Sequence, residues 1–338
     1  MATIKDVAAL AGISYTTVSH VLNKTRPVSE PVRLKVEAAI AELDYVPSAV
    51  ARSLKARSTA TIGLLVPNSV NPYFAELARG IEDACERNGY CVILCNSDDN
   101  PQKQRSYLRV LLEKRVDGLV VASVGEERDL LDSLASVRTP MVIVDRALDG
   151  VDADLVRIDH EQGAYLATRH LLDLGHVDIA CINGPANTSV AKLRLAGFRR
   201  ALREAGVGLR DGRVLDGDFT SLGGYEAAAQ LLSRDRPTAI FAANDLMGIG
   251  VLRAAAEGSI SVPGELSVIG FDDIQMCPYV YPALTTVGQS IRELGEMAAA
   301  LLLRRIVGSG SAALEQRIIA PKIVLRESTG PSPDLFSG

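Results

Sequence analysis

The chain has 338 residues, 47% of them hydrophobic, and is therefore long enough for more than one packed domain. Its five cysteines form no CxxC pair, which fits reduced, mostly buried thiols better than a disulfide framework or a zinc site. The net charge is −5, yet residues 1–58 hold eight Lys or Arg against five Asp or Glu. A small basic segment therefore precedes an acidic body, which suggests that this segment contacts nucleic acid.

The first 46 residues predict three short helices. "TIKDVAALAG" places its apolar residues on one helical face, with Thr3 as a possible N-cap and Gly12 suited to a left-handed helix end. Ser14 can cap the next helix, in "SYTTVSHVLN", and Ser29 opens a third, in "EPVRLKVEAAIAELDY". Two short helices joined by a tight glycine turn predict a helix-turn-helix.

The polar side of the second predicted helix suits DNA recognition. Tyr15, Thr16, Ser19 and His20 face outward, and such side chains can contact base edges in the major groove. On this stretch alone, a helical hairpin with a polar solvent face is an equal alternative. A hydrolase is disfavoured, because no acid is positioned nearby and the chain lacks GxSxG, HExxH and P-loop motifs.

The remaining sequence alternates strand and helix patterns, which predicts parallel sheets with right-handed crossovers. Strands are predicted at 61–66, 91–95, 117–122, 141–144, 178–182, 238–242, 266–271 and 284–287. Helices are predicted at 73–88, 102–114, 162–174, 190–205, 222–233, 246–257 and 290–307. More than 250 residues of this pattern exceed one compact sheet, so two α/β lobes are expected. The sequence shows no signal peptide and no apolar run of membrane-spanning length.

Several separate motifs resemble the LacI/GalR family of bacterial transcription repressors, in the family's order and almost to the C-terminus. They are "TIKDVAALAGISYTTVSHVLN", "VPSAVARSLK", "TIGLLVPNSVNPYFAEL", "RVDGLVV", "LLDLGHVDIACINGP", "RLAGFRRAL", "AIFAANDLMGIGVL", "VPGELSVIGFDD" and "PALTTVGQ". Within the family the chain looks most like the purine and ribose repressors. The resemblance implies a small all-α helix-turn-helix head and an α/β body of the periplasmic-binding-protein type, with two lobes and three crossovers.

This resemblance implies a division of the chain. Residues 1–46 would be the DNA-binding domain, 47–58 a hinge helix and linker, and 59–330 the effector-binding and dimerisation domain. Residues 331–338, rich in Pro, Gly and Ser, are expected to be a disordered tail. Within the body, one lobe would take residues 60–158 with the helix near 290–320, and the other 159–289 with 322–330.

The resemblance also implies a homodimer on a palindromic operator, without a cofactor or a membrane. Leu54 would wedge the central base step from a hinge helix, although a core contact or a solvated linker is the alternative for this residue. The implied DNA-binding residues are Thr3, Ser14, Tyr15, Thr16, Thr17, Ser19, His20, Asn23, Ala51, Leu54 and Lys55.

Polar and aromatic residues follow many of the predicted strands, where ligands bind in open α/β sheets. Carboxylates, guanidinium groups and amides offer paired contacts to vicinal hydroxyls, and aromatic rings pack on sugar C–H faces. Taken singly, Asn244 and Asp272 would more often cap a helix, so the prediction depends on the whole set. The ligand residues that the resemblance implies are Asn71, Tyr73, Phe74, Asp145, Arg146, Arg194, Phe219, Asn244, Asp272 and Gln289.

The expected activity is that of a cytoplasmic, sugar-responsive repressor. Arg146 after Asp145 favours a sugar, because purine repressors usually have an aromatic residue there. Ala122-Ser123 departs from the Asn of ribose-binding relatives and weakens ribose as the specific ligand. A purine-responsive regulator is the first alternative, and a sugar-transport module, which would need a signal peptide and no DNA-binding head, is the second. An enzyme is a distant third.

Overall fold

The computed structural model describes residues 2–23, 25–46, 58–122, 128–148, 150–233, 235–288, 290–308 and 313–336. The chain divides into two compact units, Met1–Ala60 and Thr61–Gly338. We call them the head and the body.

Within its described residues, the head has three helices and its own small core. Its helices are α1 (Ile4–Ala11), α2 (Tyr15–Asn23) and α3 (Glu30–Glu42). Gly12 has φ 65°, the left-handed conformation that glycine adopts without strain, and this ends α1 and starts the turn to α2. The core is formed by Val7, Ala8, Val18, Val36 and Ala39.

Two sheets form the part of the body that the structure describes, and each has six strands. The strands are β1 (Thr61–Val66), β2 (Cys91–Asn96), β3 (Gly118–Ala122), β4 (Met141–Val144), β5 (Asp154–Ile158), β6 (Ile179–Asn183), β7 (Val214–Asp216), β8 (Ala239–Ala242), β9 (Ser267–Asp272), β10 (Thr285–Gly288), β11 (Gln316–Ile319) and β12 (Lys322–Val324). The helices are α4 (Pro72–Arg87), α5 (Pro101–Glu113), α6 (Arg128–Ala135), α7 (His160–Asp173), α8 (Ser189–Glu204), α9 (Ser221–Leu232), α10 (Asp245–Glu257) and α11 (Ile291–Ile306). A 3-10 helix spans Pro333–Phe336.

Each sheet is the centre of one lobe. Lobe 1 has the order β11-β5-β4-β3-β1-β2, and lobe 2 has β12-β10-β9-β8-β6-β7. All pairings are parallel except that of β12 with β10. The chain therefore passes between the lobes three times: from β5 to α7, from β10 to α11, and from β11 to β12. This is the two-lobed topology that the sequence led us to expect.

Every predicted strand and helix of the body is present, with ends within two residues of the prediction. Strands β5, β7, β11 and β12 and helix α6 were not predicted. They are short, and the two edge strands β11 and β12 are largely exposed, so they lack a continuous apolar run. β5 begins with a charged residue, Asp154, which is buried in an ion pair 2.6 Å from Arg305 of α11.

Residues 331–336 differ from the disordered tail expected from their composition. Ser332 is fully buried, and its backbone N–H donates to the carbonyl oxygen of Leu174 at 2.9 Å. Further upstream, the carbonyl oxygen of Gly330 lies 3.0 Å from Nε2 of His176, which is also buried. Amino-acid composition predicts whether a segment can build a core of its own. This segment is instead ordered by backbone hydrogen bonds to lobe 2, which composition does not reveal.

Close helix pairs cover the sheets and depend on glycine. In the α4–α11 pair, a Cβ added to Gly80 would overlap the carbonyl oxygen of Arg292, and one added to Gly295 would overlap that of Leu77. Since backbone cannot move aside as a flexible side chain can, these positions require glycine for steric reasons.

We predict that Gly80→Ala lowers the free energy of unfolding by about 1–3 kcal/mol, the usual cost of overpacking a core. Gly208→Ala is the control, because nothing lies within 4 Å of a Cβ at Gly208. Urea denaturation of both variants measures the difference. Equal stability of the two variants would contradict the proposed backbone contact.

Candidate functional site

In the head, helix α2 presents a polar surface that the sequence predicted. Tyr15 is 54% exposed, Thr16 and Asn23 are exposed, and Ser19 and His20 are half-buried. The apolar side of the helix faces the head's core through Val18. A row of donors and acceptors on a short helix has the chemistry needed to contact base edges.

Other head residues predicted to contact DNA have local structural roles. Ser14 Oγ accepts from the backbone N–H of Thr17 at 3.2 Å and lies 2.9 Å from its Oγ1, so these two side chains cap α2. The backbone N–H and hydroxyl of Thr3 both donate to Asp6 Oδ2, at 2.7 and 2.8 Å. These hydrogen bonds lower the pKa of Asp6.

Four predicted residues lie outside the described residues. They are Ala51, Leu54 and Lys55, predicted to contact DNA, and Gln289, predicted to contact the ligand. Ser123, which follows Ala122 at the end of β3, also lies outside them.

In lobe 1, two predicted ligand residues are hydrogen-bonded to each other. The hydroxyl of Tyr73, at the start of α4, donates to Oδ1 of Asp145 at 3.2 Å, and both residues are buried. Burial and the nearby carboxylate of Asp145 raise the pKa of Tyr73 well above its usual value, so the phenol keeps its proton.

In lobe 2, Arg194 of α8 and Asp272 at the end of β9 form a buried ion pair. One Nη of Arg194 lies 3.1 Å from Oδ1 of Asp272, and the other donates to the carbonyl oxygen of Ala243. The guanidinium carbon stands 3.7 Å from the centre of the Phe271 ring. Burial raises the pKa of Asp272, and the adjacent guanidinium opposes this shift.

His160 links these two groups and was not predicted from the sequence. It is fully buried at the first position of α7, directly after the first crossover. Its Nε2 lies 3.1 Å from Oδ1 of Asp145, and its Nδ1 lies 3.3 Å from Nη2 of Arg194. The position follows β5, which the sequence pattern did not predict, so its place at a strand end was not recognised. We call Tyr73, Asp145, Arg194 and Asp272 the interlobe site, and His160 lies between its two halves.

Two predicted ligand residues, Asn71 and Asn244, cap helices, and of the two residues for which capping was the alternative only Asn244 does so. Oδ1 of Asn71 accepts from the backbone N–H of Tyr73, and Oδ1 of Asn244 accepts from that of Met247, both at 3.0 Å. The amide nitrogen of Asn244 also donates to the carbonyl oxygen of Phe219 at 3.1 Å. Asn244 thus holds the loop before α9 in place.

Each lobe holds one of the two phenylalanines predicted to contact the ligand, and both rings are half-buried. Phe74 packs edge-on against Tyr73 with 4.9 Å between ring centres. Phe219 lies against Gly184, where a Cβ would overlap its ring. Gly184 directly follows β6, so the ring lies at the carboxyl end of the lobe 2 sheet.

Three candidate ligand residues have backbone conformations that are unusual for side-chain-bearing residues. Asp145 has φ 81°, Phe219 has φ 64° and Asp272 has φ 114°. Such conformations cost about 1–3 kcal/mol each and persist where the surrounding structure imposes them, often at functional sites. Arg146, next to Asp145, is buried, with 7% of its surface exposed.

Comparison with known proteins identifies both units. A family profile described as "Bacterial regulatory proteins, lacI family" matches residues 3–48. A second profile, described as "Periplasmic binding proteins and sugar binding domain of LacI family", matches residues 59–327. The chain belongs to the LacI family. It is a DNA-binding transcriptional repressor controlled by a small-molecule effector, and it is not an enzyme.

Individual relatives extend over nearly the whole chain. The HTH-type transcriptional repressor PurR of Photobacterium profundum is 46% identical over 332 residues, which is 97% of this chain and 98% of that protein. The ribose operon repressor of Escherichia coli (strain K12) is 46% identical over 310 residues, or 90% and 93%. The lac repressor dimer bound to operator and the anti-inducer ONPF matches with a TM-score of 0.88 at 31% identity, covering 97% and 99%.

Within the described ranges, each helix of this LacI-family chain is too short or too polar to cross a membrane.

The burial of Asp272 changes what its removal should do. Its removal would not simply open the site to solvent, because Asp272 is only 5% exposed and Arg194 only 4%. Losing the carboxylate would leave a buried guanidinium without its charged partner. We therefore predict that Asp272→Ala lowers the free energy of unfolding by about 3–5 kcal/mol, as expected for a broken buried pair.

Asp173→Ala is the matched control for Asp272→Ala. Asp173 also pairs with an arginine of lobe 2, Arg169 at 2.8 Å, but its side chain is 64% exposed. Exposed pairs contribute about 0.2–1 kcal/mol. Chemical denaturation compares the two variants, and an equally small loss in both would show that the Arg194 charge is solvated.

Proposed function

We propose that this repressor binds a small sugar, a ribose-like pentose or a related one, between its lobes, and that the sugar controls its affinity for operator DNA. The observation that supports this most directly is the interlobe site itself. It brings two carboxylates and a guanidinium group together in a buried setting, with residues from both lobes in hydrogen-bond contact.

The chemistry of these groups suits a polyhydroxylated ligand. Planar carboxylate and guanidinium groups make paired hydrogen bonds to neighbouring hydroxyls. The half-buried rings of Phe74 and Phe219 offer apolar faces for sugar C–H groups. A site built to hydrogen-bond hydroxyls also rejects analogues that lack them, because its buried polar groups would be left unpaired.

A purine effector is the alternative. The arginine at 146, where purine repressors usually have an aromatic residue, favours a sugar over a flat heterocycle. β3 ends in Ala122 where ribose-binding relatives often have Asn, so the proposal covers pentoses related to ribose as well as ribose. The equal identity of 46% to the PurR and ribose operon repressors does not choose between effectors.

The proposed assembly is a cytoplasmic homodimer on a palindromic operator. A two-fold dimer presents two copies of the head and therefore requires two half-sites related by the same symmetry. The exposed polar face of α2 would read the bases. The lac repressor relative is described as a dimer bound to operator, which supports this arrangement.

Titration calorimetry of the full chain with pentoses, hexoses and purines tests the effector. We expect D-ribose or a related pentose to bind and hypoxanthine and guanine not to bind.

For the Asp272→Asn variant, which keeps the size of the side chain and removes its charge, we expect loss of sugar binding with operator affinity intact, because Asp272 belongs to the body and not to the head.

Asp173→Asn controls for the loss of one carboxylate from lobe 2. Operator fragments are first selected from random duplexes, and mobility shifts are then measured with and without sugar. A folded Asp272→Asn variant that still responded to sugar would contradict the assignment of Asp272.

Base recognition by α2 gives a separate prediction. Thr16→Ala should change which operator variants bind best, with a cost of about 1–3 kcal/mol for a lost base contact. Glu42→Gln, at an exposed position of α3, should leave the order of preferred sequences unchanged. Selection from random duplexes with each variant measures this, and an unchanged preference for Thr16→Ala would show that its side chain reads no base.

A further inference from the structure

His160 occupies the junction between the two halves of the interlobe site. It follows β5 of lobe 1 by two residues and starts α7 of lobe 2, so it lies at one of the three crossovers. Its ring contacts Asp145 of lobe 1 on one side and Arg194 of lobe 2 on the other. The proposed function assigns ligand contacts to both of these neighbours and none to His160.

The neighbours determine which ring nitrogen carries the proton. A guanidinium group only donates hydrogen bonds, so Nδ1, 3.3 Å from Nη2 of Arg194, must accept. Nε2 lies 3.0 Å from the backbone carbonyl oxygen of Asp145 and 3.1 Å from its Oδ1, and both of these atoms accept. The ring is therefore neutral with its proton on Nε2, because a charged ring would place two donors face to face at Nδ1.

In this tautomer, His160 joins Arg194 and Asp145 in a chain of hydrogen bonds in which each group donates to the next. Arg194 donates to the ring, and the ring donates to Asp145, so a change in the position of either charged group alters the hydrogen bond available to the other. The Phe271 ring, with its centre 6.1 Å from that of His160 and the Arg194 guanidinium stacked upon it, limits where the imidazole can move. Occupancy at one lobe can thus alter contacts at the other through three side chains.

We propose that His160 is a positioning residue that couples ligand occupancy of the interlobe site to the arrangement of the lobes, without contacting the ligand. The inference rests on the proposed function for the identity of the ligand. A ligand shifts a conformational equilibrium only through contacts that differ between the two states, and His160 makes the contacts of Asp145 and Arg194 depend on each other.

Two substitutions separate coupling from simple support of the fold. Gln keeps one donor and one acceptor in a planar side chain, whereas Phe keeps a ring and loses both. His170→Phe is the matched control, because His170 lies on the same helix and bonds to Thr329 at 3.0 Å, outside the interlobe site. Thermal melting confirms that each full-length variant is folded.

Three affinities are measured for each protein: for selected operator DNA without D-ribose, for the same DNA with saturating D-ribose, and for D-ribose without DNA. The ratio of the two operator affinities should lie in the range of about 5–150-fold that is usual for allosteric coupling in the wild type, His160→Gln and His170→Phe. In His160→Phe it should fall below about twofold while D-ribose still binds.

The inference is overturned if folded His160→Phe keeps the wild-type ratio, if it loses D-ribose binding outright, or if His160→Gln is as defective as His160→Phe. Parallel measurements with purines distinguish failure of this inference from failure of the proposed function. If D-ribose does not act on the wild type but hypoxanthine does, the sugar proposal fails and the same ratios are measured with hypoxanthine.

A second measurement, on the wild-type chain, needs no ligand. The chain has four histidines, so ¹⁵N labelling of histidine gives few ring signals, and His160→Gln assigns the one of interest. The expected signal is a neutral ring protonated at Nε2. A ring protonated at Nδ1, or at both nitrogens, would overturn the proposed connection.

Discussion

Burial of Arg194 beside Asp272 removes two charges from water, and only their mutual contact and further hydrogen bonds can offset that cost. The structure supplies these in several ways: the carbonyl oxygen of Ala243 accepts from the guanidinium, the Phe271 ring lies beneath it, and His160 accepts on the far side. Ala243, Phe271 and His160 each come from a different element, and Asp272 shares β9 with Phe271. Correct placement of α7, α8, β9 and the loop after β8 is therefore required before this ion pair is stable.

The backbone around the site bears a similar cost. Asp145, Phe219 and Asp272 hold positive φ angles that a glycine would adopt more easily, yet a glycine would remove the carboxylates and the ring. At Gly80 and Gly295 the requirement is the opposite. There the backbones of two helices are in contact, and a side chain cannot fit between them. Conformational strain is thus retained at the strand ends where side-chain chemistry is needed.

The sequence predicted the elements that carry long apolar runs and failed where burial depends on pairing. β3 and β8 are buried at every position, and each is evident as a hydrophobic segment. β5 begins with Asp154, whose burial depends on Arg305 from a helix about 150 residues later, so local pattern could not reveal it. Because β5 was not predicted, His160 was not recognised as a residue that follows a strand. The ligand set was predicted only as positions after strands, and local sequence offered helix capping by Asn244 as an alternative without deciding between the two roles.

The helix caps formed by the asparagines bear on which residues determine ligand recognition. Oδ1 of Asn244 accepts from Met247, and its amide nitrogen donates to Phe219, so both ends of this side chain already have protein partners. One N–H and one lone pair of the amide remain, so Asn244 could contact a ligand without releasing the start of α10 or the Phe219 loop. Asp145, Asp272 and Arg194 differ in their charge, which makes their hydrogen bonds to a ligand stronger than those of a neutral amide. Effector choice should therefore depend on the charged residues of the interlobe site, with the asparagines fixing the backbone around them.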